Sequence, residues 1–244
     1  AYEITTRLVG SEMCIRDRLN TAFPQILFES CASGGGRFDP GILYYAPQGW
    51  TSDDTDAAER VKIQYGTSMC YPVSSMGSHV SVVPNHQLNR KTPLHTRANV
   101  AYFGTFGYEL DLNKLSDEEI SEVKQQITFM KEYRELIQFG TFYRLKSPFE
   151  GNETVWMTVS EDKKTALVFW YRERNVVNAD FTRVRLQGLD PDLIYRNEYN
   201  ETENYGDELM NLGLLTTDCT AGEPTSEDEP CTDYESRIYV LTAK

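Results

Sequence analysis

The chain is predicted to fold as an α/β unit followed by an all-β unit. Three observations carry that prediction. Up to residue 140, short apolar runs alternate with segments of helical spacing, which is the pattern of a parallel sheet or barrel. After that, short strand-like segments follow one another with turn residues between them, which is the pattern of an antiparallel β-sandwich. The two patterns meet near residues 142–147, just past the glycine that stops the clearest helix.

The elements follow in order. Residues 25–31, QILFESC, form a short run rich in strand formers, and 43–50, LYYAPQGW, form another. Residues 56–68 have helical spacing, with Asp56 and Glu59 as a D-x-x-E capping pair. MCYPVSSMGSHVS (69–81) and NVAYFGTFGYELDL (99–112) read as two further strands. A helix is predicted from about Ser116 to Phe139. Ser116 and Glu119 form its capping box, Gly140 its stop, and Ile120, Val123, Ile127, Met130 and Ile137 its apolar stripe. TVWMTVS, KTALVFWYR, FTRVRLQGL and SRIYVLTAK are the predicted strands of the second unit. No repeat of 20–50 residues is visible.

Composition narrows function. The 244 residues are 40% hydrophobic, enough for one large domain or two modest ones. A net charge of −13 repels phosphate backbones and anionic lipid surfaces, so neither nucleic acid nor membrane is an expected partner. No apolar run approaches the roughly 20 residues of a membrane span, and no secretory signal opens the chain. Fifteen tyrosines and three tryptophans suit sugar stacking, but they suit β cores as well. Five cysteines without zinc-type spacing give no metal site. Cys31 and Cys70 lie in apolar surroundings and read as buried thiols. Cys219 and Cys231 flank the acidic loop TAGEPTSEDEP and fit either a loop-closing disulfide or a reduced surface loop.

Residues 8–18, LVGSEMCIRDR, resemble a translated transposase adapter of the kind used in DNA library preparation. Without them the flanks join as AYEITTRLNTAFPQILFESC, an amphipathic helix running into a strand. The stretch, Cys14 included, is read as foreign to the fold.

Catalytic groups of a β/α barrel stand at the C-terminal ends of its strands. Cys31 with its glycine run, Asp53, and MGSH (76–79) occupy such positions. The run SGGGRFDPG (33–41) permits close backbone approach to a ligand, as a phosphate cradle or as a bland tight turn. It lacks the lysine of a P-loop and the spacing of a dinucleotide site. In GWTSDDTD (49–56), a continued strand would turn Asp53 and Asp54 to opposite sides, and Asp56 serves the helix cap. A carboxyl beside a tryptophan and other carboxylates is a candidate general acid, and a turn residue is the alternative for Asp53. His79, His86 and His95 lack metal-ligand spacing and read as structural or loop residues, with His79 the best placed to meet a ligand.

Taken together, the segment from ILFESCASGGGRFDPG through GWTSDDTDAAERVKIQYGTS, with MGSHVSVVPNHQ, FGTFGYELDL, LQGLDPDLIY, GDELMNLGL and YESRIYVL, closely resembles the microbial α-galactosidases of glycoside hydrolase family 36. The resemblance spans most of the chain outside 8–18 and 215–232. It implies the C-terminal half of a (β/α)8 barrel over 1–144 and an antiparallel β-sandwich over 145–244. It implies a retaining exo-glycosidase for terminal α-galactosyl residues of melibiose- and raffinose-type oligosaccharides. Asp53 falls on the family's acid/base, Cys31 and Gly34 on its galactose contacts, and Trp50 on the wall near the scissile bond. SCASGGG departs slightly from the family's commoner glycine wording. No metal or cofactor is implied, and the full-length form is expected to be a homo-oligomer in a reducing cytoplasm.

One expected motif is absent. The family's nucleophile is an aspartate in a K-W-D-x-N-R-like motif on the fourth barrel strand, and nothing here matches it. The chain therefore reads as beginning just before the fifth strand, as a piece unable to hydrolyse a galactoside alone. Related readings on the same fold are an α-N-acetylgalactosaminidase or a galactosyl-transferring enzyme. A non-enzymatic reading is a carbohydrate-binding or structural β-sandwich fragment.

Overall fold

The computed structural model describes residues 15, 17–31, 38–176, 181–216 and 233–244. Gly34, Cys14, Cys219 and Cys231 lie outside those residues, as does most of the adapter-like stretch, of which only 15, 17 and 18 are described.

Strands β1 (Glu29–Ser30), β2 (Gln48–Trp50), β3 (Met76–Ser81) and β4 (Thr105–Glu109) form one sheet in chain order, and every neighbouring pair is parallel. Parallel neighbours require crossovers. Helices α1 (Pro40–Leu43), α2 (Ala57–Ser68) and α3 (Leu94–Ala101) supply them, and α4 (Asp117–Phe139) follows the last strand. Strand β3 is buried on both faces except at the half-buried His79. Met76 and Val80 join the core with Ala58, Val61, Leu94 and Ala98, while Ser78 donates to Gln64 Oε1 of α2 at 2.7 Å. Those three residues face the helices, so Gly77, His79 and Ser81 face the other way.

The two predicted helices form, α4 with its full capping box and α2 with only the Asp56 half of its expected capping pair. Asp56 caps α2 by accepting from the Ala58 and Glu59 amides, and Ser116 and Glu119 complete the capping box of α4. Gly140 ends α4 in an extended conformation, φ −67°, rather than a left-handed one. A Cβ there would lie 2.5 Å from the Leu136 oxygen and 2.6 Å from Thr158 Cγ2, so close packing requires the glycine. Elsewhere the sequence reading is corrected. The run 99–112 splits into the end of α3 and strand β4, and 43–50 yields strand only at Gln48–Trp50. A short apolar run does not distinguish a buried helix from a buried strand.

The second half is antiparallel. It comprises β5 (Thr141–Lys146), β6 (Glu153–Val159), β7 (Thr165–Arg172), β8 (Arg183–Val184), β9 (Ile194–Asn197), β10 (Glu203–Tyr205), helix α5 (Gly206–Asn211), β11 (Leu214–Leu215) and β12 (Glu235–Ala243). Six of these strands form a sheet in the order β10-β9-β12-β7-β6-β5, and β11 pairs with β8. Both faces of the large sheet are covered. Trp156, Leu167, Phe169 and Val240 point into a core shared with α3 and α4. Their neighbours Val155, Met157, Ala166, Val168, Trp170, Tyr239 and Leu241 point into a second core with Val184, Leu186, Leu209 and Leu214. The alternation is the period-2 geometry of a strand, with both sets apolar.

The first core joins the two halves. Phe103, after α3, lies 5.7 Å from the Trp156 ring and 5.6 Å from Phe169. Arg144 Nη1 also donates to the Ser68 carbonyl at 3.0 Å. Phe169→Ala should therefore destabilise the chain by about 3–5 kcal/mol. Both sheets should then melt in one shifted urea transition, and a change below about 1 kcal/mol would contradict the shared core.

Candidate active site at the strand ends

The C-terminal ends of β1, β2 and β3 meet in one region. Cys31 directly follows β1, and residues 51–56 leave β2. The strand ends at Trp50, so Asp53 lies in a turn rather than on a continued strand. The turn is held at nearly every residue. The Asp54 amide donates to Ser52 Oγ at 3.1 Å, and the Asp56 amide donates to Asp54 Oδ1 at 3.0 Å. Ser81 Oγ donates to the Thr55 carbonyl at 2.5 Å, and Asn85 Nδ2 donates to Thr55 Oγ1 at 3.2 Å. Such local side-chain bonds replace a sheet ladder when a strand stops.

Two residues stand apart: Thr51, whose Oγ1 is buried with no hydrogen-bond partner among the described residues, and Asp53. The Asp53 carboxylate is exposed and has no hydrogen bond or ion pair among the described residues. Asp54 and Asp56 are occupied by backbone amides, so the three aspartates divide into one free group and two structural ones. This division matches the expectation for Asp56 as a cap.

Trp50 is nearly buried, 9% exposed, on the sheet face opposite the helices. His79 stacks on it, with ring centres 4.6 Å apart and planes 24° apart. Two glycines make room for these rings. A Cβ at Gly77 would lie 3.0 Å from Trp50 Cε3, and one at Gly107 would lie 2.9 Å from His79 Cδ2. His79 Nδ1 lies 3.6 Å from Glu109 Oε2. His79 thus joins the candidate site through Trp50, while His86 and His95 are exposed outside it.

The sequence reading missed Arg60. It lies one turn into α2, is 2% exposed, and holds its guanidinium 4.7 Å from the centre of the Trp50 ring. Its Nη2 donates to the Gly77 carbonyl at 2.6 Å and its Nη1 to the Ser52 carbonyl at 3.3 Å. Burial lowers its pKa from 12.5 to about 10, against the charges of Asp54 and Glu109, so it remains cationic at neutral pH. A charged residue on the otherwise buried Ala57–Val61 face was the available signal.

Cys31 and Cys70 are both exposed thiols, which corrects the expectation of burial. Cys31 follows the edge strand β1, and Cys70 follows the last turn of α2. Among the described residues no group of three or more His, Cys, Asp or Glu could hold a metal ion, and no helix is long and apolar enough to cross a membrane.

Arg60→Met should destabilise the fold by about 2–4 kcal/mol, because two carbonyls lose a charged donor and one of them is buried. A urea midpoint unchanged from the parent would contradict that role.

Comparison with known proteins accords with this arrangement. Residues 3–140 match the Melibiase family, and residues 153–241 match the glycosyl hydrolase family 36 C-terminal domain. The α-galactosidase AgaA of Geobacillus stearothermophilus is 56% identical over 200 residues, covering 82% of this chain and 27% of that protein. Alpha-galactosidase 1 of Pediococcus pentosaceus is 49% identical over 241 residues, covering 99% and 31%. The crystal structure of G. stearothermophilus AgaA superposes with a TM-score of 0.87 at 50% identity, covering 94% of this chain and 30% of that one. A variant of the same enzyme was solved in complex with raffinose. The chain spans about a third or less of the length of these relatives. It belongs to glycoside hydrolase family 36, within the melibiase family.

Proposed function

We propose that these residues are the acid/base half of a retaining α-galactosidase that cleaves terminal α-galactosyl units from raffinose-type oligosaccharides. One observation carries the reading: a free, exposed Asp53 carboxylate on a rigidly bonded turn at the C-terminal end of a parallel strand. Barrel enzymes carry their chemistry at that end. The sequential, all-parallel order β1-β2-β3-β4 is what the last half of a (β/α)8 barrel requires, with a β-sandwich formed from the antiparallel half. The domains are then 1–144 and 145–244, with β5 spanning the boundary.

A retaining enzyme needs two carboxyls about 5–5.5 Å apart. The nucleophile attacks the anomeric carbon. Asp53 protonates the departing glycosidic oxygen, then removes a proton from the water that releases galactose. Trp50 provides one wall of the pocket, and Cys31 and Gly34 contact the sugar. The relatives' crystallised complexes with raffinose and stachyose support this substrate class. The nucleophile belongs to the part of the relatives' length that these residues do not cover.

Two measurements test the reading. Residues 1–244 expressed alone should leave nitrophenyl α-galactoside intact, and turnover near that of a full-length relative would overturn the division into halves. In the full-length enzyme, Asp53→Asn should slow raffinose hydrolysis by about 10²-fold or more and an activated aryl galactoside much less, because a good leaving group needs little acid assistance. Equal losses on both substrates would remove Asp53 from the acid/base role.

A further inference from the structure

The turn that carries Asp53 is tied to the antiparallel sheet through one residue pair. The Asp56 side chain is 1% exposed and is bonded by Arg90 Nη1. Arg90 also lies 3.5 Å from Glu59, and its guanidinium stands 5.1 Å from the centre of the Tyr234 ring. Arg90 closes the loop that begins at Asn85, whose amide donates to the Arg90 carbonyl at 2.8 Å and whose side chain reaches Thr55. Two lines of contact therefore run from the Arg90 loop, one to Thr55 and one to Asp56.

Tyr234 immediately precedes β12 and is rigidly held. Its carbonyl accepts from Thr96 Oγ1 at 2.7 Å, and its amide donates to the Glu173 carbonyl at 3.0 Å. Its φ is 61°, a left-handed conformation that a bulky residue adopts only when its surroundings enforce it. The geometry presents the aromatic face to Arg90, and a cation is attracted to that face.

We propose that Arg90, clamped by Tyr234, is a positioning residue for the acid/base. By holding Asp56 it sets the 51–56 turn and so aims Asp53 at the leaving-group oxygen. The second, antiparallel half thereby takes part in catalysis at a distance from the substrate. The inference rests on Asp53 being the proton donor.

The test uses full-length enzyme and the ratio of kcat/KM between an aryl α-galactoside and raffinose. Both assays use one preparation, so the folded fraction cancels from the ratio. Arg90→Gln and Tyr234→Leu should each raise the ratio by about 10-fold, a part of the ~10²–10⁴ that a positioned general acid contributes. Tyr234→Phe, which keeps the aromatic face, should leave it within about 2-fold of the parent. An unchanged ratio in Arg90→Gln and Tyr234→Leu, beside a raised ratio in Asp53→Asn, overturns the positioning role alone. A flat ratio in Asp53→Asn as well overturns the acid/base assignment and the inference with it.

Discussion

A buried carboxyl group must have its oxygens partnered, and Asp56 meets that condition with two backbone amides and the Arg90 guanidinium. Much of the site follows from this one group. It starts α2, ends the turn from β2, and fixes the loop after β3 through Arg90. Asp53, three residues earlier, takes no hydrogen bond or ion pair among the described residues.

The same economy is visible beneath the turn. Arg60 is almost fully buried; its two terminal nitrogens donate to the Ser52 and Gly77 carbonyls, its Nε has no partner among the described residues, and its guanidinium stands over Trp50. Trp50 in turn carries His79, and the two rings fit only because Gly77 and Gly107 leave the sheet surface bare. Trp50, His79 and Glu109 thus form a continuous set of contacts on the sheet face turned away from the helices, and Arg60 reaches Trp50 from α2. On the other face, Met76 and Val80 pack into apolar core. The large antiparallel sheet adds support by sharing that core through Phe103, Trp156 and Phe169.

The legible parts of this chain were those in which local and tertiary demands coincide. Helix α4 combines a capping box, an amphipathic stripe and a glycine stop, and it forms within a residue of its expected ends. Strands β6, β7 and β12 also form where expected, since long β-branched and aromatic runs leave little alternative. The run 99–103 was misread because Val100, Ala101 and Phe103 are buried in either conformation. Strands β9 and β10 were missed because their polar residues carry little pattern, and their pairing is decided by the neighbouring β12.

For the site, local pattern left Asp53 between a general acid and a turn residue, and it was the resemblance of the W-T-S-D and cysteine–glycine stretches to family 36 that proposed Asp53 and Trp50. Sequence alone also determined Asp56 as a cap, since a D-x-x-E pair acts within one turn of backbone. Arg60, Arg90 and Tyr234 were decided only by tertiary structure. Arg90 is 34 residues from Asp56, and Tyr234 approaches from the far end of the chain. Electrostatic and aromatic contacts act over a few ångströms of space, and no spacing along a sequence encodes that proximity until the sheets have closed on one another.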